Sequence, residues 1–289
     1  MLVRYLFIFA FLLLDCVKSN ATEGRVYVLG YPRAGNHWSV YCISQISGLP
    51  CISHPTFGPF LWMSSDPNNT VNLADPFNQR CFFHGHNPID AGLHLANKET
   101  DFIILVLRDY KESFMSVNGE DESTMGYWLN GDLSIKNSSS SYLRINSYIN
   151  NIKCFDEWAD DRKFIIYYED LVTDPEIVLS KLGHFLNCDQ QKVEDYLKNF
   201  EMHWNTCMSG SFITSRLTYE EYRNNMKKHV SKMSKHSIKQ MDRFYRKYFF
   251  EYWIKYLGRY DSEGANFIKY IQTLENFKKL EQKKSLRKD

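Results

Sequence analysis

The stretch VYVLGYPRAGNHWSVYC, residues 26–42, decides how the rest of the chain is read. Val26, Tyr27, Val28 and Leu29 are an apolar, β-favouring run that predicts a short buried strand. Gly30, Tyr31, Pro32, Arg33, Ala34 and Gly35 break it. Asn36 then opens a helix with Trp38, Tyr41 and Cys42 on its inward face. A strand, a glycine-bounded loop and a helix N-terminus form an anion cradle, because backbone N–H groups and the positive end of the helix dipole converge there. The Gly30-x4-Gly35 spacing is that of a phosphate-binding P-loop, but Asn36-His37 stand where a nucleotide triphosphatase carries Lys then Ser/Thr. Without that hydroxyl the loop offers Mg²⁺ no protein ligand, which disfavours ATP or GTP chemistry. The cation lies inside the loop instead, at Arg33.

The 289 residues suit one large α/β domain with insertions, and 44% apolar against 24% charged residues is a globular composition. A net charge of +1 gives no general argument for nucleic acid, so any phosphate-binding charge must be local. Residues 1–21 read as a signal peptide or short signal anchor: Arg4 is followed by an apolar run over residues 5–14, with small residues at 19–21. The run is shorter than the roughly 20 apolar residues a membrane span needs, so any membrane association is expected only through this segment. Six cysteines follow it (Cys42, Cys51, Cys81, Cys154, Cys188 and Cys207), none in a C-x-x-C pair, which argues against zinc. Their pairing is open, and Cys42 on the first helix reads as a buried free thiol. Asn20, Asn68 and Asn137 each head an N-x-Ser/Thr sequon.

Beyond the first helix, Gly48-Leu49-Pro50 is a stop signal. Residues 51–76 hold Pro55, Pro59, Pro67 and Pro76 without a clear period, and predict an irregular segment over the mouth of the site. Residues 80–83 predict a second strand running into His84-Gly85-His86-Asn87-Pro88, and residues 89–97 a helix. The strongest buried-strand signal is DFIILVL, residues 101–107, followed by Arg108-Asp109 and a helix over 110–117. Residues 119–141 are polar and loop-like. A helix over 141–158 precedes another strand at 163–168 and a helix from Pro175 to Phe185 with Ile177, Leu179, Leu182 and Phe185 inward. One further helix is expected over 190–200. A single amphipathic helix is expected over 235–256, with Phe249, Tyr252, Trp253 and Tyr256 on one face, and Gly258 ending it. Alternating strands and helices imply a mostly parallel sheet with crossover helices.

Tyr31-Pro32-Arg33-Ala34-Gly35-Asn36-His37-Trp38 resembles the 5′-phosphosulfate loop of sulfotransferases, usually Tyr-Pro-Lys-Ser-Gly-Thr-Thr-Trp. Tyr31, Pro32, Gly35 and Trp38 match; Arg33 replaces Lys, and Ala34, Asn36 and His37 depart. Arg108 at a strand exit and Ser116 eight residues on resemble the family's 3′-phosphate site, and two helical turns would let both reach one anion. His86, with Pro88 two residues on, resembles the catalytic His of a Lys-Thr-His-Leu-Pro element. His84 stands where that element often has Lys. Tyr167-Tyr168-Glu169-Asp170-Leu171 resembles the element whose Tyr lies against adenine, and Trp38 is expected on the base's other side. The usual C-terminal Arg-Lys-Gly clamp has no recognisable match; Arg216, Arg223, Lys227 and Lys228 are candidates.

The resemblance implies a P-loop NTPase-like α/β fold, a parallel sheet flanked by helices over residues 25–260, with a helical C-terminal region and a charged tail over 261–289. It further implies transfer of a sulfuryl group from 3′-phosphoadenosine 5′-phosphosulfate (PAPS) as co-substrate to the hydroxyl, or amine, of a small-molecule or glycan acceptor, with no metal. His86 and Arg33 are the expected catalytic residues; Tyr31, Pro32, Arg33, Ala34, Gly35, Asn36, His37, Trp38, Arg108, Ser116 and Tyr168 are expected to bind the donor. The leader suggests the secretory pathway, a Golgi-like lumen in a eukaryote. A degenerate P-loop kinase and a secreted binding protein without turnover are the alternatives.

Overall fold

In a computed structural model, the residues described are 24–56, 59–65, 71–117, 122–125, 129, 145–209, 217–264, 266 and 269. The leader, the three sequons, most of the polar stretch 119–141, Arg216 and most of the charged tail lie outside them. Six strands form one sheet: β1 (Val26–Gly30), β2 (Cys51–Ser53), β3 (Phe60–Met63), β4 (Phe82–Gly85), β5 (Phe102–Leu107) and β6 (Lys163–Tyr167). Their order is β3-β2-β4-β1-β5-β6, and all neighbours are parallel except β2 with β3.

The central strands β1, β4 and β5 are buried on both faces, which is why β1 and β5 read as unbroken apolar runs. Tyr27, Leu29, Phe83, Ile103 and Leu105 point into one core, while Val26, Val28, Phe82, Ile104 and Val106 point into the other. The first core is closed by α3 (Ile145–Asp156) and α9 (Lys235–Tyr248) through Tyr148, Ile152, Met241 and Tyr245. The second is closed by α1 (Asn36–Ser47), α5 (Pro175–Phe185), α6 (Gln190–Lys198) and α7 (Phe200–Ser209) through Trp38, Leu179, Val193 and Trp204. Among the described residues, α2 (Tyr110–Val117), α4 (Tyr168–Thr173) and α8 (Tyr219–Asn224) complete the α-helices of six residues or more. The chain builds β2 to β4 on one side of β1, then crosses to build β5 and β6 on the other. That reversal opens a crevice at the carboxyl ends of the central strands.

Five expectations are corrected. Residues 51–76 are not wholly irregular: Cys51–Ser53 and Phe60–Met63 extend the sheet, the first held by pairing with β4 and the second by pairing with the first, rather than by a periodic pattern of their own. Residues 89–97 form no α-helix, only a 3-10 turn at Leu93–Leu95, because Gly92 takes a left-handed φ of 73°. The helix from 190 is two, α6 and α7, separated at Asn199. The helix from 235 breaks at Phe249 (φ −134°), and a π-helical turn at Trp253–Leu257 brings Trp253 and Leu257 into the core. Ile177 is exposed rather than inward.

Candidate active site

The loop 31–35 is shaped by side chains as much as by its glycines. Gly35 has a φ of 89°, and a Cβ there would lie 2.0 Å from the Tyr168 ring, so only glycine fits. Arg33 also has a positive φ, 67°, a strained value for a long side chain that leaves it exposed at the loop's crest. Asn36 braces the loop from behind: its Nδ2 donates to the carbonyls of Gly30 (2.9 Å) and Tyr31 (3.0 Å).

The same carbonyl fixes His86. His86 Nδ1 lies 3.0 Å from the Gly30 oxygen and 3.2 Å from Asn36 Nδ2; the two hydrogens of that amide already serve the carbonyls of Gly30 and Tyr31, and a carbonyl can only accept, so Nδ1 is assigned the proton and Nε2 keeps its lone pair. Burial pushes the His86 pKa below the ordinary histidine value, partly opposed by the Gly30 bond, so the ring is neutral at neutral pH. His84, one residue inside the end of β4, is fully buried and also held neutral by desolvation; its Nδ1 lies 3.2 Å from Ser53 Oγ.

Arg108 leaves β5 and turns back under the loop. Its Nη1 donates to the Arg33 carbonyl (2.9 Å), its Nη2 to Glu112 Oε2 and the Met226 carbonyl (3.4 Å each), and its guanidinium covers the Tyr168 ring at 5.3 Å. Its buried Nε–H has no partner among the described residues. Arg33 Nε donates to Ser116 Oγ at 3.2 Å, which joins the loop to α2. Arg108 and Ser116 thus both bond to Arg33 of the loop.

A pocket of about 740 Å³ collects these groups, large enough for a nucleotide with room beside it. Pro32, Arg33, Gly35, Asn36, His37, Trp38, His86, Arg108, Ser116 and Tyr168 all line it. Tyr31 and Ala34 do not. Tyr31 is a core residue set edge-on to Tyr148, and the Ala34 N–H already donates to the Tyr31 carbonyl. Not every N–H of this loop, then, is left for a ligand. Of the candidate clamp cations, Lys228 lines the pocket, next to Asn225, Met226 and His229; Arg223 and Lys227 do not. Trp62 and Met63 of β3, with Tyr41 of α1, form an apolar wall that sequence reasoning missed. Only the pairing of β3 brings it there. Among the described residues no cluster of His, Cys, Asp or Glu could hold a metal ion, and no helix is long and apolar enough to cross a membrane.

The family model for the sulfotransferase domain matches residues 23–281. Solved structures with a similar fold include the mouse sulfotransferase SULT7A1 complexed with PAP, at 15% identity, covering 81% of this chain and 87% of that one, with a TM-score of 0.51. The sulfotransferase domain from the curacin biosynthetic pathway (16% identity, 74% and 84% covered, TM-score 0.38) also matches. So does the sulfotransferase domain of the Synechococcus PCC 7002 olefin synthase (17%, 75% and 90%, 0.45). No curated protein matches the chain.

Proposed function

The chain belongs to the sulfotransferase family, and from that premise we propose that it moves a sulfuryl group from PAPS to the hydroxyl of a small-molecule or glycan acceptor. The observation that carries this is the meeting, in one pocket, of a neutral His86 with Nε2 free and the cations Arg33 and Arg108. The donor supplies an activated sulfur bound to a phosphate leaving group. His86 Nε2 takes the acceptor's proton as the acceptor oxygen bonds to sulfur and the bond from sulfur to the bridging phosphate oxygen breaks. Arg33 and the N-terminus of α1 stabilise the charge that grows on the sulfuryl oxygens and the departing phosphate. Arg108, with an unused N–H, and Ser116 hold the 3′-phosphate so that donor and acceptor lie in line. Tyr168 and Trp38 flank the base. We further propose that residues 1–21 act as a signal peptide or short signal anchor for the secretory pathway; Cys42, Cys51, Cys81 and Cys207 are buried, which shields their thiols in an oxidising lumen.

Equilibrium binding tests the donor assignment: adenosine 3′,5′-bisphosphate should bind well and Mg-ATP poorly, whereas a degenerate kinase would reverse that order. Turnover with labelled donor across an acceptor panel then identifies the acceptor; binding without turnover on any acceptor would favour a non-catalytic protein.

A further inference from the structure

Beside His86 stands a cluster that the mechanism above does not use. His54, the residue after β2, has a φ of 50°, a region histidine enters rarely, and its N–H donates to the His84 carbonyl at 3.0 Å. That turn sets the His54 ring edge-on to His86, 5.7 Å between centroids, and stacks it on Phe60. His54 Nδ1 lies 3.9 Å from Asp90 Oδ2. Asp90 is only 6% exposed, and Asn87 grips it twice: Asn87 Nδ2 donates to its Oδ2 (2.8 Å), and its own N–H donates to Asn87 Oδ1 (2.9 Å). The turn cannot drift from the strand, since a Cβ on Gly85 would meet the Ala91 nitrogen at 2.3 Å. A carboxylate is thus withdrawn from water at some cost and pinned 3.9 Å from His54, whose ring packs against the candidate base.

The groups around His86 can be taken element by element. β1 contributes the Gly30 carbonyl, α1 the Asn36 amide, and α3 Asn151, whose Nδ2 donates to the His86 carbonyl at 3.0 Å. β4 contributes His84, buried and neutral. The fixed cations Arg33 and Arg108 share the pocket. Behind burial and the Gly30 bond, His54 and Asp90 act oppositely on His86, His54 lowering and Asp90 raising its pKa.

We propose that Asp90 and His54 are positioning residues for sulfuryl transfer, the buried Asp90 carboxylate stabilising the positive charge that His86 takes on as it accepts the acceptor's proton, and His54, paired with the same carboxylate, offsetting it. This rests on His86 being the general base. Asp90 stabilises the imidazolium formed in the transfer step.

The test combines ¹⁵N NMR titration of the His86 ring nitrogens with kcat against pH, in the full chain. Asp90→Asn keeps the hydrogen bonds with Asn87 but removes the charge. It should move the His86 midpoint down by about one pH unit, carry the acid limb of kcat to lower pH, and reduce the plateau. Asp90→Glu should return both toward wild type. His54→Asn, chosen because Asn tolerates positive φ, should move midpoint and limb the other way; should Asp90→Asn fail to fold, its sign decides alone. A midpoint unmoved in these variants, or moved in the same direction by both, overturns the proposal. Midpoints that move as stated while turnover stays at the wild-type level, in His86→Ala as well, overturn the base assignment and the proposal with it; the NMR arm separates the two failures.

Discussion

One wall of the site is made by the loop 31–35 and the end of β4, the other by residues 225–229 after α8, and they are held in different ways. The first hangs from the centre of the sheet. Gly30 continues β1, its carbonyl accepts from both Asn36 and His86, and the elements behind it are buried. The second has no strand beneath it. It is tied to α2 by Glu112, a carboxylate only 1% exposed, whose Oε1 accepts from the Val230 N–H at 2.8 Å and whose Oε2 faces Arg108. Burial pushes the Glu112 pKa up; the Val230 bond and Arg108 oppose it. Arg108 reaches the same segment directly through the Met226 carbonyl. The contrast separates roles: the sheet-borne wall holds the groups proposed for chemistry, and the tethered wall closes over the groups proposed to hold the donor. Mutations in the first should act on turnover, those in the second on affinity.

The largest effect should come from the first wall. His86→Ala should lower kcat by about 10²–10⁴-fold with little change in adenosine 3′,5′-bisphosphate affinity, measured by single-turnover kinetics and calorimetry. The pH profile sharpens this. Because burial depresses the His86 pKa, protonation should remove activity only below the ordinary histidine range, and that acid limb should vanish in the mutant. Next, Arg33→Ala should cost roughly 10²-fold in kcat and Arg33→Lys should recover much of it; an Arg33→Ala enzyme with normal turnover would remove the loop from the chemistry.

Arg108→Ala belongs to the second class. It should weaken adenosine 3′,5′-bisphosphate by about tenfold or more, the 1.5–3 kcal/mol of a charge-assisted contact, while adenosine 5′-phosphate loses far less. Equal losses for both ligands would show that Arg108 supports the loop rather than the 3′-phosphate. The smallest effect should be that of Glu112→Gln, which keeps an acceptor for Val230 but no charge beside Arg108. A few-fold loss of donor affinity with kcat at saturation nearly unchanged is expected. A larger fall in kcat than in affinity would break the division between the walls.

Much of the first wall could be read without coordinates. Residues 26–42 declare strand, loop and helix because period, glycine spacing and a helix start lie within one short window, and the bounds of α2 follow from the apolar run before Arg108. The position of His86 past a strand end was legible for the same reason. The rest was decided by contacts between distant segments. β2 and β3 are too short to announce themselves and exist because β4 offers β2 an edge and β2 then offers one to β3. Tyr31 looks like a ligand residue beside Pro32 and Arg33, yet Tyr148 takes its ring into the core. Lys228 could not be chosen from among Arg216, Arg223 and Lys227, because the tether that brings it to the pocket joins residues 112 and 230. The same holds for His54 and Asp90, which are remote in sequence and meet at His86 only once β2 has paired with β4. Local pattern reports which way a residue faces its own element; which elements then face each other depends on burial and hydrogen bonding summed over the whole chain.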